Sequence, residues 1–140
     1  RSAAAVVAVV CVTACLLRPS PVDGAALGLQ GAEFFVNPAA PTRGRPQYLV
    51  KLEQPAAAGA NMYYIGAINR VGIESLGDDD FYGQSYFVDP EGQFVGEQGD
   101  PFKPELIVRD LDLDKIKQVR DRWAFYRDRR PDAYDDLFTR

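Results

Sequence analysis

The sequence predicts a mixed α/β fold, on three observations. Tyr63–Ile68 is a continuous apolar run of strand length, the pattern of a strand buried on both faces. It is preceded by an alanine-rich helical stretch, Gln47–Asn61, and by a short strand, Glu33–Asn37, so a strand–helix–strand order is set up. The second half then turns strand-rich before ending in an amphipathic helix that starts near Asp112.

The elements follow in order. Val6–Val12 is rich in β-branched residues and reads as a buried strand; the wider apolar run Ala3–Leu17 also resembles a signal-peptide core, and is short for a membrane span. Asp23–Gln30 is expected to be helical. Phe34, Phe35 and Val36 form the core of the next strand, stopped by Asn37-Pro38. Pro41–Pro46 is a loop holding Arg43, Gly44 and Arg45, and Pro55 is expected to kink the helix that follows. Gly72–Asp80 reads as an acidic loop.

Ser85–Val88, Gln93–Gly96 and Glu105–Val108 are expected strands. The first two are joined at Asp89-Pro90-Glu91-Gly92, where proline sets φ and glycine takes a positive φ. Asp112 can cap a helix with the apolar stripe Leu113, Ile116, Val119, Trp123 and Tyr126. The remainder, Arg127–Arg140, alternates charges around Pro131.

Composition narrows the function. With a net charge of −4, nucleic acid is not an expected partner. Residues 1–72 carry six bases and three acids, whereas residues 73–140 carry ten bases and seventeen acids. Arg127, Arg129 and Arg130 stand among aspartates, so they are read as surface or intersubunit ion pairs. The sequence has no histidine, which removes Ser–His–Asp and Cys–His catalysis within this chain. Cys11 and Cys15 lack both zinc spacing and a second pair for a disulfide framework, pointing to a reducing, cytoplasmic setting. Asp78–Asp80 lacks the spacing of a calcium loop and is read as a solvated run. The chain opens on Arg1 rather than methionine, which reads as the start of a fragment.

Three stretches in one order resemble a known family. Ala67-Ile68-Asn69-Arg70-Val71-Gly72-Ile73-Glu74 is similar to the AINRVGxE segment of β-ureidopropionases and other N-carbamoyl amidohydrolases. Phe81-Tyr82-Gly83-Gln84-Ser85-Tyr86-Phe87 resembles their FYGxSxF strand, and Phe125–Tyr134 their FRDRRPDLY ending. Weaker likenesses lie at Gly31–Pro38 and Ala58–Asn61. The motifs run from about Ala26 to the C-terminus, and counting back extends the family match to about residue 15, with 1–14 unassigned. The chain thus resembles the C-terminal half of a nitrilase-superfamily carbon–nitrogen hydrolase.

That resemblance implies an α-β-β-α sandwich about twice the length of this chain, of which residues 1–140 would be a partial domain. It implies a cysteine nucleophile, a glutamate base and a lysine that holds the tetrahedral intermediate, with no cofactor and no metal. A carboxylate can take the thiol proton, and a cation with a backbone N–H can hold the oxyanion. The glutamate and lysine belong upstream of the cysteine, in sequence this chain does not contain.

Counting back from Ala26-Leu27-Gly28-Leu29 onto the family's CYDRHFPEG stretch puts its cysteine on Cys15, its arginine on Arg18 and its proline on Pro21. On the resemblance, Cys15 is the nucleophile, the N–H of Leu16 an oxyanion donor, and Arg18 a bidentate clamp on a substrate carboxylate. Asn69 and Arg70, at the end of a buried strand, are expected beside the substrate. Leu17, Pro19 and Ser20 depart from the motif. A one-nucleotide shift in reading Ala-Cys-Tyr-Asp-Arg-His can encode Cys15–Ser20 as they stand, and a Leu17 codon other than TTA or CTA would exclude it.

The expected activity is hydrolysis of a small N-carbamoyl compound, N-carbamoyl-β-alanine first and N-carbamoylputrescine as the alternative. No membrane partner is expected, and the full-length protein is expected to be a homo-oligomer. Two rival classes remain at this stage: a truncated, non-catalytic paralogue that acts by association, and an exported protein that uses Ala3–Leu17 as its leader.

Overall fold

The computed structural model describes residues 21–75, 77 and 79–133. The expected strand Val6–Val12, the rest of the apolar run Ala3–Leu17 and the end of the charged tail lie outside these.

Helix α1, Pro21–Leu29, starts with proline at its first position, where the missing N–H costs no hydrogen bond. It closes on Gly31 at φ 94°: Ala32 N–H donates to Leu27 O and Gly31 N–H to Gly28 O, both at 3.1 Å. Strand β1, Phe34–Ala39, leads into helix α2, Arg45–Asn61. This helix begins two residues before the expected Gln47, because Pro46 fits its first turn. Pro55 lies inside and does not end it. Met62, left-handed at φ 53°, terminates it. Strand β2, Tyr64–Asn69, then runs parallel to β1, from Phe34 beside Tyr64 to Ala39 beside Asn69.

Gly72–Asp80 is not simply a loop, contrary to the expectation. Val71–Ile73 (β3) and Asp80–Tyr82 (β4) pair antiparallel, with Val71 opposite Tyr82. Strand β5, Tyr86–Val88, pairs antiparallel with β2, completing a three-stranded sheet in the order β1-β2-β5. The turn after β5 forms where the sequence puts it: Gly92 has φ 81°, and Asp89 Oδ1 accepts from the N–H groups of Glu91 and Gln93. The expected partner strand Gln93–Gly96 shrinks to one bridge, Val88 with Phe94. Glu105–Val108 forms no ladder. Leu106 and Val108 are 88% and 71% exposed, and no strand among the described residues pairs with the segment.

Helix α3, Asp114–Arg122, follows Asp112, whose Oδ1 accepts from the N–H of Asp114 at 3.0 Å. Ile116 and Val119 of its stripe are buried, while Leu113 and Trp123 keep 39% and 36% of their surface exposed. Lys115 holds the helix to the β5 turn through Asp89 (2.5 Å) and Glu91 (2.9 Å). The Arg127–Asp128 and Arg130–Asp132 pairs match the surface reading of the tail.

The core lies between the sheet and α2. Phe35, Ile65, Ala67, Tyr86 and Val88 project from one sheet face onto Ala58, with Tyr63 beside them. The opposite face carries Phe34 and Phe87, whose rings stack 6.2 Å apart, and Ile68, which is 55% exposed. Phe34 and Phe87 lie over Gly66, where a methyl group would meet the Phe34 ring at 2.9 Å. No helix among the described residues is long and apolar enough to cross a membrane.

Candidate active site

In a parallel pair, functional groups collect at the carboxyl ends of the strands, where the chain leaves the sheet. Here β1 ends at Ala39 and β2 at Asn69, side by side in register. Asn69 is buried. Its N–H donates to Ser85 Oγ (3.0 Å) and its Nδ2 to the Tyr82 hydroxyl (2.8 Å), while its Oδ1 has no partner among the described residues. Arg70 points the other way, into solvent. Its guanidinium pairs with Glu74 and lies 5.0 Å from the centre of the Phe81 ring. The sequence therefore names two neighbours with different surroundings, one locked inside and one facing solvent.

Other polar groups join them from distant parts of the chain. Gln84 takes the left-handed conformation, φ 52°, which is uncommon for a residue with a side chain. Its Oε1 accepts from Gln47 Nε2 (2.9 Å) and from Lys51 Nζ (2.7 Å), both on α2. Burial pulls the Lys51 ammonium below its ordinary pKa, and Nζ lies 5.9 Å from the centre of the Tyr82 ring. Burial pushes the Tyr82 hydroxyl up to about 12, against the opposing pull of its hydrogen bond with Asn69. In the loop after β1, Arg43 Nε pairs with Asp80 at 2.6 Å, its other end donates to the Pro101 carbonyl, and the guanidinium stacks 4.5 Å from Phe102.

Tyr82, Gln84, Lys51 and Gln47 were not singled out by the sequence. The Phe81–Phe87 stretch marked the segment, but nothing local announces that Lys51 reaches a residue 33 positions later. A shallow cleft beside this cluster, lined in part by Gln84, Ser85, Asp100 and Lys103, holds about 30 Å³. That is room for a water and too little for an N-carbamoyl amino acid. Among the described residues, no three histidine, cysteine, aspartate or glutamate side chains gather as a metal site. Cys15, Leu16 and Arg18 lie outside the described residues; α1 begins six residues after Cys15.

With this geometry in view, the likeness to known proteins becomes decisive. The carbon-nitrogen hydrolase family model matches residues 7–121, most of the chain. The chain belongs to the carbon-nitrogen hydrolase family. It is 32% identical over 145 residues to a β-ureidopropionase of Arabidopsis thaliana, covering 94% of this chain and 35% of that protein. It is 38% identical over 133 residues to an N-carbamoylputrescine amidase of Solanum tuberosum, covering 85% of this chain and 43% of that one.

Among solved structures, a carbon-nitrogen hydrolase from Helicobacter pylori superposes with a TM-score of 0.80 at 31% identity, covering 87% of this chain and 46% of its own. An amidase from Nesterenkonia sp. AN1 superposes at 0.69 with 26% identity, covering 86% and 40%. In that structure the acetamide moiety of fluoroacetamide is bonded to the active-site cysteine. The mixed α/β architecture is thus that of nitrilase-superfamily hydrolases. This chain spans less than half the length of each of these relatives.

Proposed function

We propose that this chain forms the nucleophile-bearing half of a thiol-dependent N-carbamoyl amidohydrolase. The observation that carries the reading is the family match over residues 7–121, which includes Cys15, together with likenesses to two enzymes named for N-carbamoyl chemistry. In this reading the Cys15 thiolate attacks the carbamoyl carbon while an upstream glutamate takes the thiol proton. The Leu16 N–H and an upstream lysine hold the oxyanion. Collapse breaks the C–N bond, the amine leaves with a proton from the glutamate, and water hydrolyses the carbamoyl thioester. The carbamic acid released decomposes to carbon dioxide and ammonia. No metal or redox cofactor enters.

In this reading the exposed Arg70 lies beside the substrate, and Asn69 holds the end of β2 through its bonds to Ser85 and Tyr82. N-carbamoyl-β-alanine is the preferred substrate because Arg18 would pair with its carboxylate. N-carbamoylputrescine is the second reading, favoured by the 38% identity to the potato enzyme. Two cysteines without a disulfide framework favour a cytoplasmic setting, and the apolar sheet face around Ile68 favours assembly with further chain.

The test is kcat/KM for both substrates in the complete enzyme and in Arg18→Leu. Removing a buried partner of the carboxylate costs roughly 2–5 kcal/mol, so N-carbamoyl-β-alanine should suffer far more than N-carbamoylputrescine. Equal losses would make Arg18 structural. No turnover of either substrate would favour a non-catalytic paralogue that acts by association.

A further inference from the structure

Helix α1 and the segment after α3 meet in a way that the chemistry above leaves unused. Gly24 and Gly28 lie one turn apart on α1, and a tyrosine hydroxyl lies over each. A methyl group on Gly24 would come within 2.8 Å of the Tyr63 hydroxyl, and one on Gly28 would overlap the Tyr126 hydroxyl and stand 3.0 Å from its Cζ. Only bare backbone admits this approach.

Tyr126 is also tied elsewhere. Its hydroxyl donates to the Asn61 carbonyl at the end of α2 (2.8 Å) and lies 3.4 Å from Asn61 Oδ1. Asn61 is itself buried and held by its own donation to Ala57 O at 2.9 Å. From α3, Arg120 donates to the Ala32 carbonyl just past the end of α1 (3.2 Å), with its guanidinium 5.9 Å from the Tyr126 ring. The C-terminal segment therefore straps α1, the end of α2 and the α1–β1 turn together.

We infer that Tyr126 is a positioning residue: it fixes the height and rotation of α1 and, through the chain that enters α1, the placement of Cys15. The inference rests on the reading of Cys15 as the nucleophile. Pro21, the first residue of α1, follows Cys15 by only six positions in the chain, and on that reading a displaced helix would carry the thiol with it. A misplacement of about 1 Å can cost a reaction on the order of a hundredfold. Loss of one hydroxyl, with the ring kept, should cost less.

The experiment compares the complete enzyme with Tyr126→Phe, Gly28→Ala, the double variant and Cys15→Ala. Two readouts are taken: steady-state kinetics, and hydrogen exchange of the α1 amides. Tyr126→Phe should lower kcat about tenfold with little change in KM, a partial displacement on the same scale, and should speed exchange in α1. Gly28→Ala should lower kcat further. The double variant should recover part of the way towards Tyr126→Phe, because the overlap with the hydroxyl is gone and only the 3.0 Å approach to the ring carbon remains. Unchanged kcat in Tyr126→Phe, or losses that simply multiply in the double variant, would overturn the inference. Turnover surviving Cys15→Ala would instead overturn the nucleophile reading and with it the catalytic part of the inference. Exchange in α1 and the same cycle read on thermal stability would then decide whether the strap itself exists.

Discussion

The side-chain amide of Asn69 donates to the hydroxyl of Tyr82 across 2.8 Å, with both residues buried. The bond joins the end of β2 to β4 and so couples the two sheets at the candidate site. Tyr82→Phe would remove the acceptor and leave the Asn69 side chain with neither of its polar atoms paired, a loss of about 1–3 kcal/mol. The denaturation midpoint should fall with an unchanged slope. Asn69→Leu combined with Tyr82→Phe should be less harmful than the sum of the two, since no polar group is left stranded. Additive losses would show that the two residues act independently.

Alkaline pH should unfold the chain early. Burial raises the Tyr63 and Tyr82 hydroxyls from 10.0 to about 12, so the fold favours their neutral forms. Lys115 is raised from 10.5, first by its hydrogen bond with Asp89, so the fold favours its charged form. In each case the folded pKa lies above the unfolded one. The stabilisation is complete below pH 10 and is lost as pH climbs towards 12. Denaturation midpoints at stepped pH, followed with tyrosinate absorbance, should fall across that window, and Tyr82→Phe should make the fall shallower. A flat profile would mean that the tyrosines are not protected by burial.

Much of this fold was legible because its determinants are local. The run at Tyr63–Ile68, the helical stretch Asp23–Gln30 and the Asp89–Gly92 turn each carry their own signal, and each formed within a residue or two of its expected place. The β3–β4 hairpin did not announce itself. Each strand has three residues, and Gly72, at φ 101° in the middle of β3, is a residue that sequence reasoning reads as loop. Glu105–Val108 failed for a different reason: its apolar run Leu106-Ile107-Val108 is that of a strand, but a ladder needs a neighbour. At the candidate site, Asn69 and Arg70 were singled out because strand ends attract function. Lys51, Tyr82 and Gln84 were not, because they converge only once α2 has packed on the sheet.

The sheet face bearing Phe34, Phe87 and the 55% exposed Ile68 should make the isolated chain associate. Light scattering coupled to size exclusion should report oligomers or aggregates for residues 1–140 alone. Ile68→Lys, which places a charge on that face, should shift the distribution towards monomer. A monodisperse wild-type monomer with a sharp cooperative melt would contradict the half-domain account.

On the proposed reading, this chain brings the nucleophile to a carbon–nitrogen hydrolase and does not turn over without the half that carries the base and the lysine. Ammonia release from N-carbamoyl-β-alanine and N-carbamoylputrescine tests it most directly, measured for residues 1–140 alone, for the complete protein, and for the complete protein with Cys15→Ala. Groups that act as a unit lose their effect together, so turnover is expected from the complete protein only. Ammonia released by residues 1–140 alone, or by the complete protein after Cys15→Ala, would contradict the account.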